Sequence, residues 1–207
     1  MSVPTENLPK TPRIAVVVAS LNRAEEIGYL LDRLRAQTLK PSKIVLSVTG
    51  SNDLPQNLTE DVVVVMGSKG LPVQRNRGLD ALAPDGCDIV VFYDDDFVPG
   101  LTSLEAMAKV FGDHADVLGI TGYVIADGIN GPGFSHQESC EKIDAHPIPK
   151  PQEARIDREV PSLYGCNMAM RYAAIGSARF DERLPLYAWQ EDLDFSRRLG
   201  TQCEPKR

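Results

Sequence analysis

The sequence predicts an α/β fold in which a central, mainly parallel but mixed sheet is flanked by helices. Two observations predict it. Short, nearly unbroken apolar runs have the character of strands covered on both faces, and amphipathic segments at helical spacing stand between those runs.

A flexible arm over residues 1–12, holding three prolines, precedes the first apolar run at 13–19. Asn22 with Glu25 reads as a helix-capping pair, and Ile27, Leu30, Leu31 and Leu34 recur on one face of the helix that follows, which ends before Pro41. Residues 43–48 and 61–66 repeat the strand pattern around a turn-rich stretch. A helix over 73–83 stops before Pro84, and 88–93 supply a fourth strand. Thr102 and Glu105 read as a capping box for a helix with Leu104, Met107, Ala108 and Phe111 on one face, and 117–125 reads as further strand.

From 127 to 162 the pattern dissolves into glycine, proline and charge. That stretch is too long for an ordinary connection and reads as a functional loop or a partly disordered one. Order returns at Leu163, and a last helix starts near Glu191 and carries Arg197 and Arg198 toward its C-terminal end.

At 207 residues and 43% hydrophobic content the chain suits one domain with one sizeable core. Cys87, Cys140, Cys166 and Cys203 show neither CxxC spacing nor close pairing with histidine, so no zinc site or disulfide framework is expected and a reducing, cytoplasmic setting fits. No signal peptide or transmembrane segment is evident, and a peripheral place at a membrane surface stays open. The excess of 29 acidic over 22 basic residues argues against nucleic acid as a partner, so an anionic ligand needs a local basic pocket.

Three clusters carry chemistry. The strand at 88–93 runs straight into Asp94-Asp95-Asp96. If the backbone stays extended there, Asp94 and Asp96 project to one side and Asp95 to the other. That pair of hard oxygen ligands would suit Mg²⁺ or Mn²⁺ completed by water and phosphate, and the alternative is a solvated acidic turn. The second cluster places Lys69, Arg75 and Arg77 in a loop leading into a helix, where guanidinium groups and the helix N-terminus could hold a diphosphate; the alternative is a solvated basic face. The third sets Glu191 and Asp192 at a helix start beside Trp189, a place that helix dipoles favour for acids in any case.

Taken in this order, the clusters resemble the inverting family 2 glycosyltransferases, which have the GT-A fold, a Rossmann-like nucleotide-diphospho-sugar transferase architecture. The resemblance spans 14–199. Ala19-Ser20-Leu21-Asn22-Arg23 looks like the family's nucleotide-facing opening, and Gly70 with Gln74-Arg75-Asn76 looks like its donor-binding loop. Phe92-Tyr93-Asp94-Asp95-Asp96 is similar to its DxD motif. Gly165-Cys166-Asn167 and Phe180-Asp181-Glu182 resemble the segments before its acceptor site, and Trp189-Gln190-Glu191-Asp192 resembles its ED motif.

The resemblance implies a metal-dependent enzyme that moves a sugar from a nucleotide-diphosphate sugar to a hydroxyl of a carbohydrate, lipid-linked or other acceptor, with inversion. Asp192 is then the general base and Glu191 orients acceptor hydroxyls, while Asp94 and Asp96 hold Mg²⁺ or Mn²⁺. Ser20, Asn22, Arg23, Asp53, Lys69, Gly70, Arg75, Asn76, Asp94 and Asp95 face the donor; Gly165, Cys166, Asn167 and Trp189 face the acceptor. Residues 13–126 form the nucleotide-binding half and 127–200 the acceptor-side half, with 128–162 a candidate acceptor lid and 201–207 a tail.

Two departures stand out. The segment 47–53 occupies the place of an acidic stretch that contacts the base in many relatives, with Asp53 as the substitute. Many relatives also continue past the ED helix with another strand and a histidine near the metal, a position that His114, His136 and His146 do not match. The tail is therefore read as a natural end, a truncation, or the point where a partner chain completes the site. A sugar nucleotidyltransferase would need a glycine-rich loop after the first strand, which is missing, and a haloacid-dehalogenase-type phosphatase would need threonine where Val98 stands. A nucleotide-sugar-binding domain without turnover remains the rival.

Overall fold

In the computed structural model, which describes residues 8–9, 11–56, 58–83, 85–129, 131–184, 188 and 190–203, the first apolar run is strand β1 (Ile14–Ala19). Helix α1 (Ala24–Arg35) follows and buries Ile27, Leu30, Leu31 and Leu34, the stripe its spacing predicts. The chain continues through β2 (Lys43–Val48), β3 (Val62–Met66), α2 (Leu71–Leu82), β4 (Ile89–Asp94), α3 (Ser103–Asp113) and β5 (Gly119–Thr121). It then forms α4 (His136–Ala145), β6 (Asn167–Arg171), the single turn α5 (Tyr172–Ile175) and α6 (Glu191–Cys203).

The six strands lie in the order β3-β2-β1-β4-β6-β5. β3, β2, β1 and β4 are parallel, whereas β6 runs antiparallel to β4 and β5 antiparallel to β6. From β1 the chain goes to β2 and β3 on one side and returns to β4 on the other. Ligands of open α/β sheets bind at the carboxyl ends flanking such a reversal. Here Ala19 of β1 sits opposite both Ser47 of β2 and Asp94 of β4.

Both sheet faces are covered, which is why the strands read as continuous apolar runs. Val16, Val18 and Val91 pack with Ile27, Leu31, Leu104 and Phe111 on one side; Val17, Phe92 and Met168 pack with Leu79, Leu82, Phe195 and Leu199 on the other. α2 approaches β1 closely at Gly78, where a Cβ would lie 2.3 Å from Val17 Cγ1.

The structure changes several local readings. Asn22 is not the cap: the N-cap of α1 is Arg23, which makes no side-chain capping bond, and Asn22 holds a left-handed φ of 57°. Thr102 makes no side-chain cap either, because Glu105 accepts from Thr38 Oγ1 at 2.7 Å instead of closing a box. The strand expected over 117–125 is only β5, and β6, with all five residues buried, was not read as a strand.

The irregular stretch over 127–162 contains a helix. α4 opens on a complete capping box, with Glu138 N donating to Ser135 Oγ at 3.3 Å and Ser135 N donating to Glu138 Oε2 at 2.8 Å. It buries no residue, so it shows no apolar stripe in the sequence. Its contacts with α1 are a Tyr29–His136 ring stack at 4.2 Å and an Arg33–Asp144 ion pair at 3.3 Å. No helix among the described residues is long and apolar enough to cross a membrane.

Candidate active site

β4 ends at Asp94, and the chain turns at once, with Phe97 N bonding Asp94 O at 3.1 Å. Extended alternation therefore does not sort the three carboxylates; their partners do. Asp95 lies inward, 8% exposed, accepting from Ser20 Oγ at 2.5 Å and from Arg23 Nη1 at 3.0 Å. Asp96 stays exposed and accepts from the same Arg23 Nη1 at 2.6 Å. Asp94, its side chain 41% exposed, takes Arg75 Nη2 at 3.0 Å. Burial pushes Asp94 and Asp95 above the ordinary carboxylate range, against the opposing pull of Arg75 on the first and of Ser20 and Arg23 on the second.

This donor set fits a small divalent cation. Asp94 and Asp96 each keep one oxygen with no protein donor among the described residues, and both border the same cavity. No group of three or more His, Cys, Asp or Glu side chains could hold a metal among those residues. Two carboxylates suit Mg²⁺ or Mn²⁺, which complete an octahedral shell with water and substrate phosphate, and do not suit a closed protein cage.

The basic loop behaves differently from its reading as an open phosphate cradle. Arg75 is 2% exposed. Its Nη1 donates to Glu191 Oε1, its Nη2 donates to Asp94 and to Gly165 O at 2.9 Å, and the guanidinium packs against the Phe92 and Phe180 rings. Arg77 is likewise engaged, with Ser47 Oγ and the carbonyls of Ser68 and Val48. Lys69 remains exposed beside Gly70, the N-cap of α2 at φ 132°, a conformation that favours glycine.

Glu191 and Asp192 open α6 with different environments. Glu191 is 7% exposed and its carboxyl is raised by burial, with Arg75 opposing. Asp192 is less enclosed; Gly165 N donates to its Oδ2 at 2.8 Å and Leu193 N to its Oδ1 at 2.7 Å. Gly165 thus touches both ends of the network, through its carbonyl to Arg75 and its N–H to Asp192. Ala188 and Gln190, just before α6, have left-handed φ values of 60° and 68°, strained for residues with a Cβ. Trp189 lies outside the described residues.

The remaining donor-side residues divide in the same way. Asp53, 2% exposed, accepts from Asn22 N, Thr49 N, Thr49 Oγ1 and Gly50 N, so it ties the β1–α1 turn to the turn after β2. Asn76 faces away from Asp94, pairing with the backbone of Phe180 and with Glu182. Gln74, within the segment that resembles the donor-binding loop, ties the scaffold together. It bonds Ser20 O, Ser47 O and Gly70 N, pinning the ends of β1 and β2 to the start of α2; a glutamine on a helix among basic residues gives no sequence signal for that task.

On the acceptor side, Cys166 borders the cavity beside Asp94, and burial pushes its thiol up to about 12. Asn167 lies beneath the surface at 5% exposed, and among the described residues neither its Oδ1 nor the buried Tyr93 hydroxyl has a hydrogen-bond partner. Tyr164, not singled out in the sequence, borders the same cavity and donates to Asp127.

The model of the family described as "Glycosyl transferase family 2" matches residues 15–177, most of the chain. The chain belongs to that family. Among curated proteins, this family 2 chain is 26% identical over 117 residues to EpsH of Bacillus subtilis (strain 168), covering 53% of the chain and 33% of EpsH. Among solved structures it is similar to S. aureus TarS, at 20% identity and a TM-score of 0.57 over 89% of the chain and 32% of TarS. It is also similar to the mannosyltransferase PcManGT from Pyrobaculum calidifontis, solved with GDP-Man and Mn²⁺, at 16% identity and a TM-score of 0.55 over 98% of the chain and 55% of PcManGT. These likenesses identify the fold as GT-A. The family 2 chain spans about a third of the length of EpsH and of TarS.

Proposed function

We propose that this chain transfers a sugar from a nucleotide-diphosphate sugar to an acceptor hydroxyl with inversion. The observation that carries the reading is the continuous network that joins Asp94, Arg75 and Glu191 and, through Gly165, Asp192. The carboxylate beside the donor phosphates and the carboxylate beside the attacking hydroxyl share one buried scaffold, which holds the two reacting groups at a fixed separation.

Asp192 accepts the acceptor's hydroxyl proton as that oxygen bonds to the anomeric carbon. The carbon–oxygen bond to the diphosphate breaks on the opposite face, and its electron pair leaves with the diphosphate. Backbone N–H groups fix both oxygens of Asp192 while leaving lone pairs for the proton. Glu191 and Arg75 are positioning residues, and Lys69 with the start of α2 meets the departing diphosphate. Asp94 and Asp96 would hold Mg²⁺ or Mn²⁺, which supplies charge neutralisation to the diphosphate when bound; the Mn²⁺ in the PcManGT complex supports this. The free cysteines among the described residues support a cytoplasmic setting.

The test is calorimetric titration of UDP and GDP into the protein with and without Mn²⁺. Wild type should bind one of them more tightly with the ion, and Asp96→Ala should lose that dependence. Equal wild-type affinity in both conditions overturns the metal assignment, and donor binding without transfer or hydrolysis assigns the chain to a binding role instead.

A further inference from the structure

A cavity of about 1050 Å³ runs from Asp94, Asp95 and Asp96 outward between α1 and the 123–143 stretch that includes most of α4. It is large enough for several sugar rings by the usual size of ligand sites, roughly 300–1000 Å³. It also passes Cys166, the neighbour of Gly165, whose N–H holds Asp192. The groove thus comes within one residue of the backbone N–H that holds the proposed base.

The wall chemistry is specific. Five aromatic side chains line it: Tyr29, Phe97, Tyr123, Phe134 and Tyr164. Tyr123 is 81% exposed and Phe134 42%, so although Tyr123 neighbours His146 and Phe134 neighbours Lys142, both rings face solvent and not the core. The apolar C–H face of a pyranose carries slight positive charge and stacks on the electron-rich face of such rings. Beyond the three aspartates, the charged wall residues are Glu25, Glu26, Asp127, Arg23 and Lys142. The carboxylates accept from hydroxyl groups.

Both cations have partners within the protein. Arg23 is bound to Asp95 and Asp96 at 3.0 and 2.6 Å, and Lys142 lies 4.7 Å over the Phe134 ring. Apart from Asp94 and Asp96, which would hold the cation, and Asp95, paired with Arg23, the outer wall sets Glu25, Glu26 and Asp127 against Lys142, an acidic excess that disfavours phosphate and carboxylate groups there.

We propose that this groove is the acceptor subsite and that it takes a neutral carbohydrate, stacked on Tyr123 and Phe134 with hydroxyls donating to Glu25, Glu26 and Asp127, and rejects acceptors that carry phosphate or carboxylate. The assignment of the groove to the acceptor rests on the transferase reading above; its preference for neutral sugars rests on the wall itself.

Saturation-transfer NMR on the full chain tests it, because it reads binding without turnover. The probes are cellobiose, N,N′-diacetylchitobiose and lactose as neutral sugars, with glucuronic acid and glycerol 3-phosphate as anions. At least one neutral disaccharide should bind, at least ten-fold more tightly than either anion, and Phe134→Ala and Asp127→Asn should each weaken it ten-fold or more. Both residues are exposed, so the fold should survive, and an unchanged thermal midpoint checks that. Binding of an anion in preference, absence of neutral-sugar binding, or affinity unchanged in both variants overturns the proposal. Neutral-sugar binding that needs Phe134 in a chain that binds no UDP or GDP upholds the groove while removing the transferase reading.

Discussion

Arg75 of α2 and Glu191 of α6 form an ion pair in which the two side chains are 2% and 8% exposed. A pair so enclosed stabilises little relative to apolar residues, but breaking it strands a charge. Arg75→Met should therefore lose about 3–5 kcal/mol of unfolding free energy in urea titration. The double variant Arg75→Met/Glu191→Leu should recover most of that loss. Arg75→Lys should fall between, since one ammonium cannot reproduce the fork that reaches Glu191, Asp94 and Gly165 O together.

Replacing Asp192 by asparagine keeps the size of the side chain and removes its basicity. Release of nucleoside diphosphate from donor and acceptor should slow by about 10²–10⁴-fold, with donor affinity retained. Turnover equal to wild type would remove Asp192 from the base role.

At Gly78 two effects compete. An alanine within a helix ordinarily gains about 1 kcal/mol over glycine, but here its Cβ would meet Val17 Cγ1 at 2.3 Å inside a packed core. Overpacking should prevail, so Gly78→Ala should lower stability by about 1–3 kcal/mol in chemical denaturation. Adding Val17→Ala should restore part of it; no recovery would point to a cause other than that contact.

Asp53 supplies a pH-dependent term. Desolvation raises its carboxyl, but its four donors prevail and hold it below the ordinary range. The charged form is thus favoured in the folded state, so its stabilisation is full at neutral pH. It is lost as pH falls below about 4, the unfolded value, and through the lower folded one. The difference in urea midpoint between wild type and Asp53→Asn should stay constant from pH 7 to about 5 and shrink below about 4. A difference that grows on acidification would contradict the assigned sign.

The parallel half of the sheet was legible because strands covered on both faces leave unbroken apolar runs; β1, β2 and β4 fall within a residue of their expected limits. β6 is less legible because Asn167 and Arg171 at its two ends leave an apolar run of only Met168-Ala169-Met170, although both are buried. The capping box of α4 was present as Ser135 and Glu138, but a helix that buries nothing offers no periodicity to confirm it. At the site, residue types identified the clusters without identifying their partners. Whether Arg75, Arg77, Asn76 and Asp53 face a ligand or one another depends on contacts 19 to 116 residues apart in sequence or on turns that only the folded chain brings together.

α4 buries none of its residues and is tied to α1 by a ring stack and a surface ion pair, yet it contributes a wall to the groove. Substitutions along it alter what the groove meets without disturbing either core. If the groove takes the acceptor as proposed, descendants of this chain can exchange one target for another by drift in a single peripheral helix, while the buried Arg75 network is inherited unchanged.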